Sequence, residues 1–416
     1  MPNRHLKPVL FAAALTLLLV HVALFWMAGG KALKGYADFA FIYAAAELIK
    51  DGSGTHLYDY DAQKRVQDRL FSEVEIRKGT LVFNHLPVEA LLFVPFSYLP
   101  FAWAYGLWAV INVSILFGLP FLLAPHVSNL KEVFRPFLSL FFLAFFPCFV
   151  AVLQGQTSIL LLLVFALAFL SLKQGRDFLA GCLLGLALFK FQIVLPFMLP
   201  FCLKKRWKVL FGFLVVAAGL VLLSLSIVGW KGMTAYLHLL WRENQNLVSR
   251  GRQQIYAIYP QAMPNIRGFL YGACAGKIPE AGIAIGVVGS SLILLLWSAI
   301  RWIRFRERQV VDLSFSLNLL VALLVSYHLL LHDLSLLSLP LLLLLNHRVG
   351  TRTPSRLLRY ASLVVIGIFF LTPLYLTLMR DEHLYLLFWP LLLLTFVVAR
   401  ELSNLKSQGA LDDCPV

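Results

Sequence analysis

Residues 208–229 read KVLFGFLVVAAGLVLLSLSIVG, and after the opening lysine no charged side chain interrupts the run. At 1.5 Å per residue, about 20 such residues reach across the hydrocarbon of a bilayer. Lipid offers the backbone no hydrogen-bonding partner, so a stretch of this kind must close its own bonds as a helix. Just before it, Lys204-Lys205-Arg206 supply the basic flank that stays on the cytoplasmic side.

Outward from this segment the pattern repeats. Apolar segments occupy 8–29, 101–124, 136–153, 156–172, 178–190, 193–203, 208–229, 281–300, 311–331, 334–346, 360–379 and 385–400. Residues 87–99 are apolar but short and carry Pro87 and Pro95, with Pro100 beyond, which suits a re-entrant or interfacial element. Of 416 residues, 60% are hydrophobic and 14% charged, which excludes a soluble fold around one core. The expected fold class is an all-α polytopic membrane protein with about 11–13 transmembrane helices. It forms a single integral membrane domain over 1–416. Arg4 and Lys7 precede the first apolar run without a convincing cleavage site, so that run is expected to be a retained helix.

The net charge is +15. The basic residues sit in short loops, so the positive-inside bias accounts for them, and no aromatic-lined basic groove suggests nucleic acid. With the N-terminus inside, the loops 126–135, 173–177, 204–208, 301–310 and 347–359 all fall inside. This requires 178–203 to break near Phe189-Lys190-Phe191-Gln192, and broken helices are tolerated only beside a cavity or protein interior. Two long segments then lie outside, 30–86 and 231–280. The first contains a helix over 39–50 stopped by Asp51-Gly52 and a charged helix from about Asp59. The second begins with an interfacial helix from Met233 to Leu247. Cys148, Cys182, Cys202, Cys274 and Cys414 form no CxxC pair, so neither a disulfide framework nor a zinc site is expected.

This topology sends a set of polar residues to the outer side: Asp38, Gln154-Gly155-Gln156, Lys190 with Gln192, Arg267 among other arginines of 231–280, and His328, His332 and Asp333. Ionisable groups at membrane depth are costly and mark function. Asp38 can be a general base for a hydroxyl, or the N-cap of the helix starting at Phe39. Gln154 and Gln156 can orient sugar hydroxyls, or be turn residues around Gly155. Lys190 can hold a phosphate, or snorkel from a helix end. His332-Asp333 can serve a site, or cap a helix break; the arginines can hold phosphate, or bind anionic headgroups. No DxD or carboxylate cluster suits magnesium or manganese, so no metal or other cofactor is expected.

The chain resembles glycosyltransferase family 87, membrane proteins of the GT-C superfamily that use polyprenol-phosphate mannose. The resemblance is carried by DFAFIYAAAELIKDG at 38–52, LYD at 57–59, PFSYLPFAWAYGLWAVIN at 95–112, QGQTSILLLL at 154–163, DFLAGCLLGLALFKFQ at 177–192, MPNIRGFL at 263–270 and HDLSLLSLPLLLLL at 332–345. It implies a GT-C-type helical bundle and inverting transfer of a sugar, mannose by default, from a polyprenyl-phosphate donor to a glycolipid or glycan acceptor. The partners would be membrane lipid and these two substrates. The site would lie on the extracytoplasmic side of a cell membrane, a bacterial inner membrane in particular. Asp38 matches the position of the acidic base and Lys190 that of a basic residue near the donor phosphate. Tyr43, His85, Gln154, Gln156, Gln192, Arg267, His332 and Asp333 are the further substrate-binding candidates. Asn84-His85-Leu86-Pro87 departs from the family's more usual tyrosine and paired prolines at the acceptor entrance. The rival classes are a lipid flippase or secondary transporter, an acyltransferase using His328 or His332, and a non-catalytic assembly subunit.

Overall fold

The computed structural model describes residues 6–72, 80–130, 135–244, 259–303, 307–350 and 356–407. Its elements are helices, and no strand occurs among the described residues. The first helix, α1 (Leu6–Lys31), carries no charge between Lys7 and Lys31. A π-helical turn at Ala32–Tyr36, with Gly35 at φ 100°, leads into α2 (Phe39–Lys50). Next, α3 (Tyr60–Leu70) is capped by the Asp59 carboxylate, which accepts from the Asp61 and Ala62 N–H groups. Short α4 (Pro87–Phe93) continues as a 3-10 turn over Val94–Tyr98 and then α5 (Phe101–Leu123).

Then α6 (Arg135–Leu143) and α7 (Phe146–Gln154) meet at 61°, where Pro147 in the first turn of α7 lacks the N–H that would continue α6. They are followed by α8 (Ser158–Lys173), α9 (Asp177–Leu186), a 3-10 turn over Ala187–Lys190, α10 (Phe191–Leu203) and α11 (Trp207–Asn244). The last third holds α12 (Ile266–Cys274), α13 (Glu280–Ile303), α14 (Glu307–Val325), a 3-10 stretch over Leu331–Leu337 and α15 (Ser338–Gly350). It ends with α16 (Arg356–Phe370), α17 (Thr372–Arg380), bent 60° from α16 beside Pro373, and α18 (Phe388–Ser407).

The chain is a multi-pass membrane protein. Six helical runs are long and apolar enough to cross a bilayer, or eight if each bent pair is one span. Expecting about 11–13 crossings overstates their number, since 158–173 and 311–325 are shorter apolar helices; 87–98 is also short, as a re-entrant or interfacial element requires. Trp26 and Trp230, 87% and 74% exposed, are too large and apolar to face water in such numbers and belong to the lipid-facing surface.

Asp177–Leu203 is long enough to span, yet its ends meet. The Asp177 carboxylate accepts from Arg206 at 2.8 Å. A Cβ on Gly181 would fall 2.0 Å from the Val209 carbonyl oxygen, and one on Gly212 would fall 2.2 Å from that of Phe178. Straight, the segment would run about 40 Å. It is instead a hairpin with its apex at Ala187–Lys190, where Lys190 leaves helical geometry at φ −118°, ψ 56°. The break expected at 189–192 therefore falls at the apex and at its following residues. Lys173 donates to the His126 carbonyl and to Asp312, while Asn129 donates from its backbone N–H and its side-chain amide to the side-chain and backbone oxygens of Asn346. These contacts gather the described parts of the basic loops at one end of the bundle, away from the hairpin apex. Lys131, Arg304, Arg306 and Arg352 lie outside the described residues, as do Arg250, Arg252 and Cys414.

Candidate active site

Asp38 stands in the break between α1 and α2, at the N-cap position of α2, but its side chain makes no capping bond. Its carboxylate instead accepts from Gln156 Nε2 at 2.9 Å, and its backbone N–H donates to Gln154 Oε1 at 3.2 Å. Between the two glutamines, Gly155 ends α7 in the left-handed region at φ 63°. A Cβ there would come within 2.7 Å of Phe39 Cβ, so only glycine lets the turn close on α2. The Gly155 carbonyl accepts from Trp108 Nε1 at 3.0 Å and that of Leu153 from the Tyr105 hydroxyl at 2.8 Å. The turn is thus fixed to α5 while it holds Asp38.

The next two residues extend the same turn into a second and a third polar group. Thr157 Oγ1 donates to Glu89 Oε1 at 2.7 Å, and Glu89 Oε2 accepts from His85 Nδ1 at 2.7 Å. The His85 carbonyl accepts from the Tyr58 hydroxyl, and burial pushes that phenol above its ordinary range. Ser158 Oγ donates to Asp333 Oδ1 at 2.8 Å and lies 3.0 Å from His332 Nδ1. Lys190, at the hairpin apex, approaches the same Asp333 oxygen at 3.4 Å, with side chains 2% and 0% exposed. Lys190 therefore does not snorkel. A cation and a carboxylate so buried survive only because each neutralises the other. Asp333 Oδ2 also accepts the Leu330 N–H and so caps the 3-10 stretch. Gln154–Ser158 is the hub: one five-residue turn touches Asp38, the Glu89–His85 pair and the Lys190–Asp333–His332 group.

The expected PNIR segment holds the far wall. Asn265 caps α12 through the Gly268 N–H and donates to the Ser326 carbonyl at 2.7 Å. Arg267, 4% exposed, donates to the Tyr327 carbonyl at 3.0 Å and stacks 4.3 Å from the Tyr327 ring centroid. Both side chains therefore pin the bend 326–328 and so place His328, which lies within electrostatic reach of His85, Lys190, His332 and Asp333. His328 Nδ1 and His332 Nε2 are buried without a hydrogen bond. Two buried imidazole nitrogens without a partner beside an ammonium leave hydrogen-bonding capacity for a bound polar ligand.

Two candidates stand apart from this network. The Tyr43 hydroxyl donates to the Leu99 carbonyl at 2.7 Å within a cluster formed with Phe39 and Phe101. Gln192, half-buried at the start of α10, makes no hydrogen bond among the described residues. Sequence reasoning passed over Glu89, Thr157, Ser158 and Asn265. Only Glu89 carried a signal, a lone acid in the apolar run PVEALLF. No group of three or more metal-binding side chains occurs among the described residues. At the other end of the bundle, a cavity of about 370 Å³ is lined by Lys173, Asp177, Arg206, Trp302 and Ser314. Lys204 sits over the Trp302 ring beside it, its pKa lowered to about 8 by burial and by Arg206.

The family model of glycosyltransferase family 87 matches residues 83–326, more than half of the chain. The match includes His85, Gln154, Gln156, Lys190, Gln192 and Arg267, and leaves Asp38, Tyr43, His332 and Asp333 outside it. No curated protein and no solved structure matches the chain.

Proposed function

From the premise that this chain belongs to glycosyltransferase family 87 and is a membrane-embedded glycosyltransferase, we propose that it takes a sugar from a polyprenyl-phosphate donor and transfers it, with inversion, to a hydroxyl of a lipid-linked or glycan acceptor. Mannose is the sugar we assign first. The site belongs to the extracytoplasmic end of the bundle, since the basic loops gather at the opposite end.

The observation that carries this reading is the state of Asp38. Its carboxylate is not spent on capping α2, and the Gln156 amide holds it in a turn that also reaches Lys190 through Ser158 and Asp333. In the reaction, an Asp38 oxygen accepts the proton of the acceptor hydroxyl. The acceptor oxygen forms a bond to the anomeric carbon from the face opposite the phosphate. The bond from that carbon to the phosphate oxygen breaks, and polyprenyl phosphate leaves with the electron pair. Lys190 spends one contact on Asp333 and keeps donors for the phosphate oxygens, with His332 Nε2 beside it. Arg267 holds the wall rather than the phosphate, because its guanidinium is engaged by Tyr327.

Purified protein given radiolabelled polyprenyl-phosphate mannose and, separately, a nucleotide mannose tests the donor. Label should pass to a mannoside acceptor from the lipid phosphate alone, with the new bond of opposite anomeric configuration. Transfer from the nucleotide sugar, or retention of configuration, would contradict the proposal. Movement of intact lipid donor across vesicles without any transfer would favour the flippase class.

A further inference from the structure

The donor side and the base leave one buried acid unused. Glu89 is 1% exposed at its side chain, and both its oxygens are committed, one to Thr157 and one to His85. His85 is held on three sides. Its carbonyl accepts from Tyr58, its ring meets Phe41 edge-on at 5.3 Å with Phe83 at 5.6 Å, and its Nδ1 faces Glu89. A carboxylate can only accept, so Nδ1 carries the proton, and the tautomer this selects in the neutral ring leaves Nε2 as an acceptor. That nitrogen makes no hydrogen bond among the described residues, and the His85 side chain keeps 15% exposure while its partner has almost none. A fixed, one-sided acceptor atom is a recognition device.

Its position ties it to the reacting end. Phe41, which supports the ring, donates its N–H to the Asp38 carbonyl one turn back. Gln156, which holds the Asp38 carboxylate, is followed directly by Thr157, which holds Glu89. Two separate threads therefore place His85 on the same wall as Asp38. The segment is also the one where this chain carries Asn84-His85-Leu86-Pro87 in place of the pattern it otherwise resembles.

We infer that His85 Nε2 accepts a hydrogen bond from a hydroxyl of the acceptor sugar, and that Glu89 is a positioning residue that sets the tautomer and orientation of His85; this rests on the glycosyltransferase reading above. The ligand class is a neutral polyol, because a bare imidazole nitrogen recognises a donor and repels nothing. The charged and titratable groups around the pair are Lys190, which acts electrostatically on Glu89, His328, which shares a field with His85, and Tyr58.

The test uses purified protein in nanodiscs, radiolabelled polyprenyl-phosphate mannose as donor and octyl mannoside as acceptor probe, with initial rates measured at one fixed pH. His85→Phe and Glu89→Gln should each raise the acceptor KM by about tenfold, the loss of one oriented hydrogen bond, while donor KM and kcat stay within about threefold. His85→Gln, whose amide oxygen can accept, should recover part of the acceptor KM. Acceptor KM within twofold of wild type in both variants would overturn the inference, as would a fall in kcat with acceptor KM unchanged, which marks a purely structural bolt. If Glu89→Gln does not fold, the comparison of His85→Phe with His85→Gln decides the question alone. A wild type that transfers no sugar defeats the glycosyltransferase reading and this inference together, whereas an active wild type with unaltered variants defeats only this one.

Discussion

Lys190 and Asp333 illustrate how much a single residue carries in a low-dielectric interior. Their contact at 3.4 Å neutralises two groups that the bundle hides from water. Lys190→Met removes the lysine partner of the buried Asp333, which keeps His332, Ser158 and the Leu330 N–H, and should destabilise the protein by about 3 kcal/mol. The double variant Lys190→Met, Asp333→Asn should recover most of that in thermal unfolding. With the ammonium in its proposed role at the donor phosphate, it should still bind the phosphate donor weakly. Recovery of donor affinity in the double variant would remove Lys190 from the phosphate site. These residues were legible in the sequence, since a charge inside an apolar run stands out whatever the fold. Asp38, Lys190, His332 and Asp333 stand out that way, and Gln154 and Gln156 as polar residues between apolar runs. Their mutual contacts were not, because Ser158 and Asp333 are 175 positions apart and Thr157 and Glu89 are 68 apart. Hydroxyl residues give no signal of their own, so the hub residues Thr157 and Ser158 escaped notice.

Among the elements, the hairpin of α9 and α10 and the turn between α7 and α8 set the geometry. The hairpin holds Lys190 at its apex, and close packing of α9 on α11 sets its height. Gly181→Ala would place a Cβ 2.0 Å from the Val209 carbonyl oxygen and should cost about 1–3 kcal/mol as the helices part. Gly106→Ala, in open space on α5, should change neither stability nor turnover in the same measurements. Gly155→Ala adds the left-handed cost of about 1–2 kcal/mol to a collision with Phe39, the neighbour of Asp38. It should lower transfer rate more than it lowers the unfolding temperature. The hairpin itself was foreseeable from loop charge, because two basic loops, 173–177 and 204–208, cannot flank a single crossing. The bends at Pro147 and Pro373 were not expected. A proline in an apolar run is compatible with a kinked span, and only the packing around it fixes the angle.

For the whole molecule the account requires a polar end and a basic end on opposite sides of the bilayer. In a background freed of the native cysteines, Lys64→Cys on exposed α3 should react with a membrane-impermeant maleimide in intact cells. Gln174→Cys, at the mouth of the basic-end cavity, should react only after permeabilisation. The reverse pattern would place the site in the cytoplasm and exclude the assigned donor geometry. Fold class could be read from composition and run length alone. The number of full crossings could not, since the short helices 158–173 and 311–325 are as apolar as spans. The central claim is that Asp38 takes the acceptor proton, and single-turnover transfer from radiolabelled polyprenyl-phosphate mannose measures it most directly. Asp38→Asn keeps the size of the side chain and removes its basicity. It should fold and bind donor as the wild type does, yet transfer label about 10²–10⁴ times more slowly. Transfer at the wild-type rate by the folded Asp38→Asn protein would contradict the account.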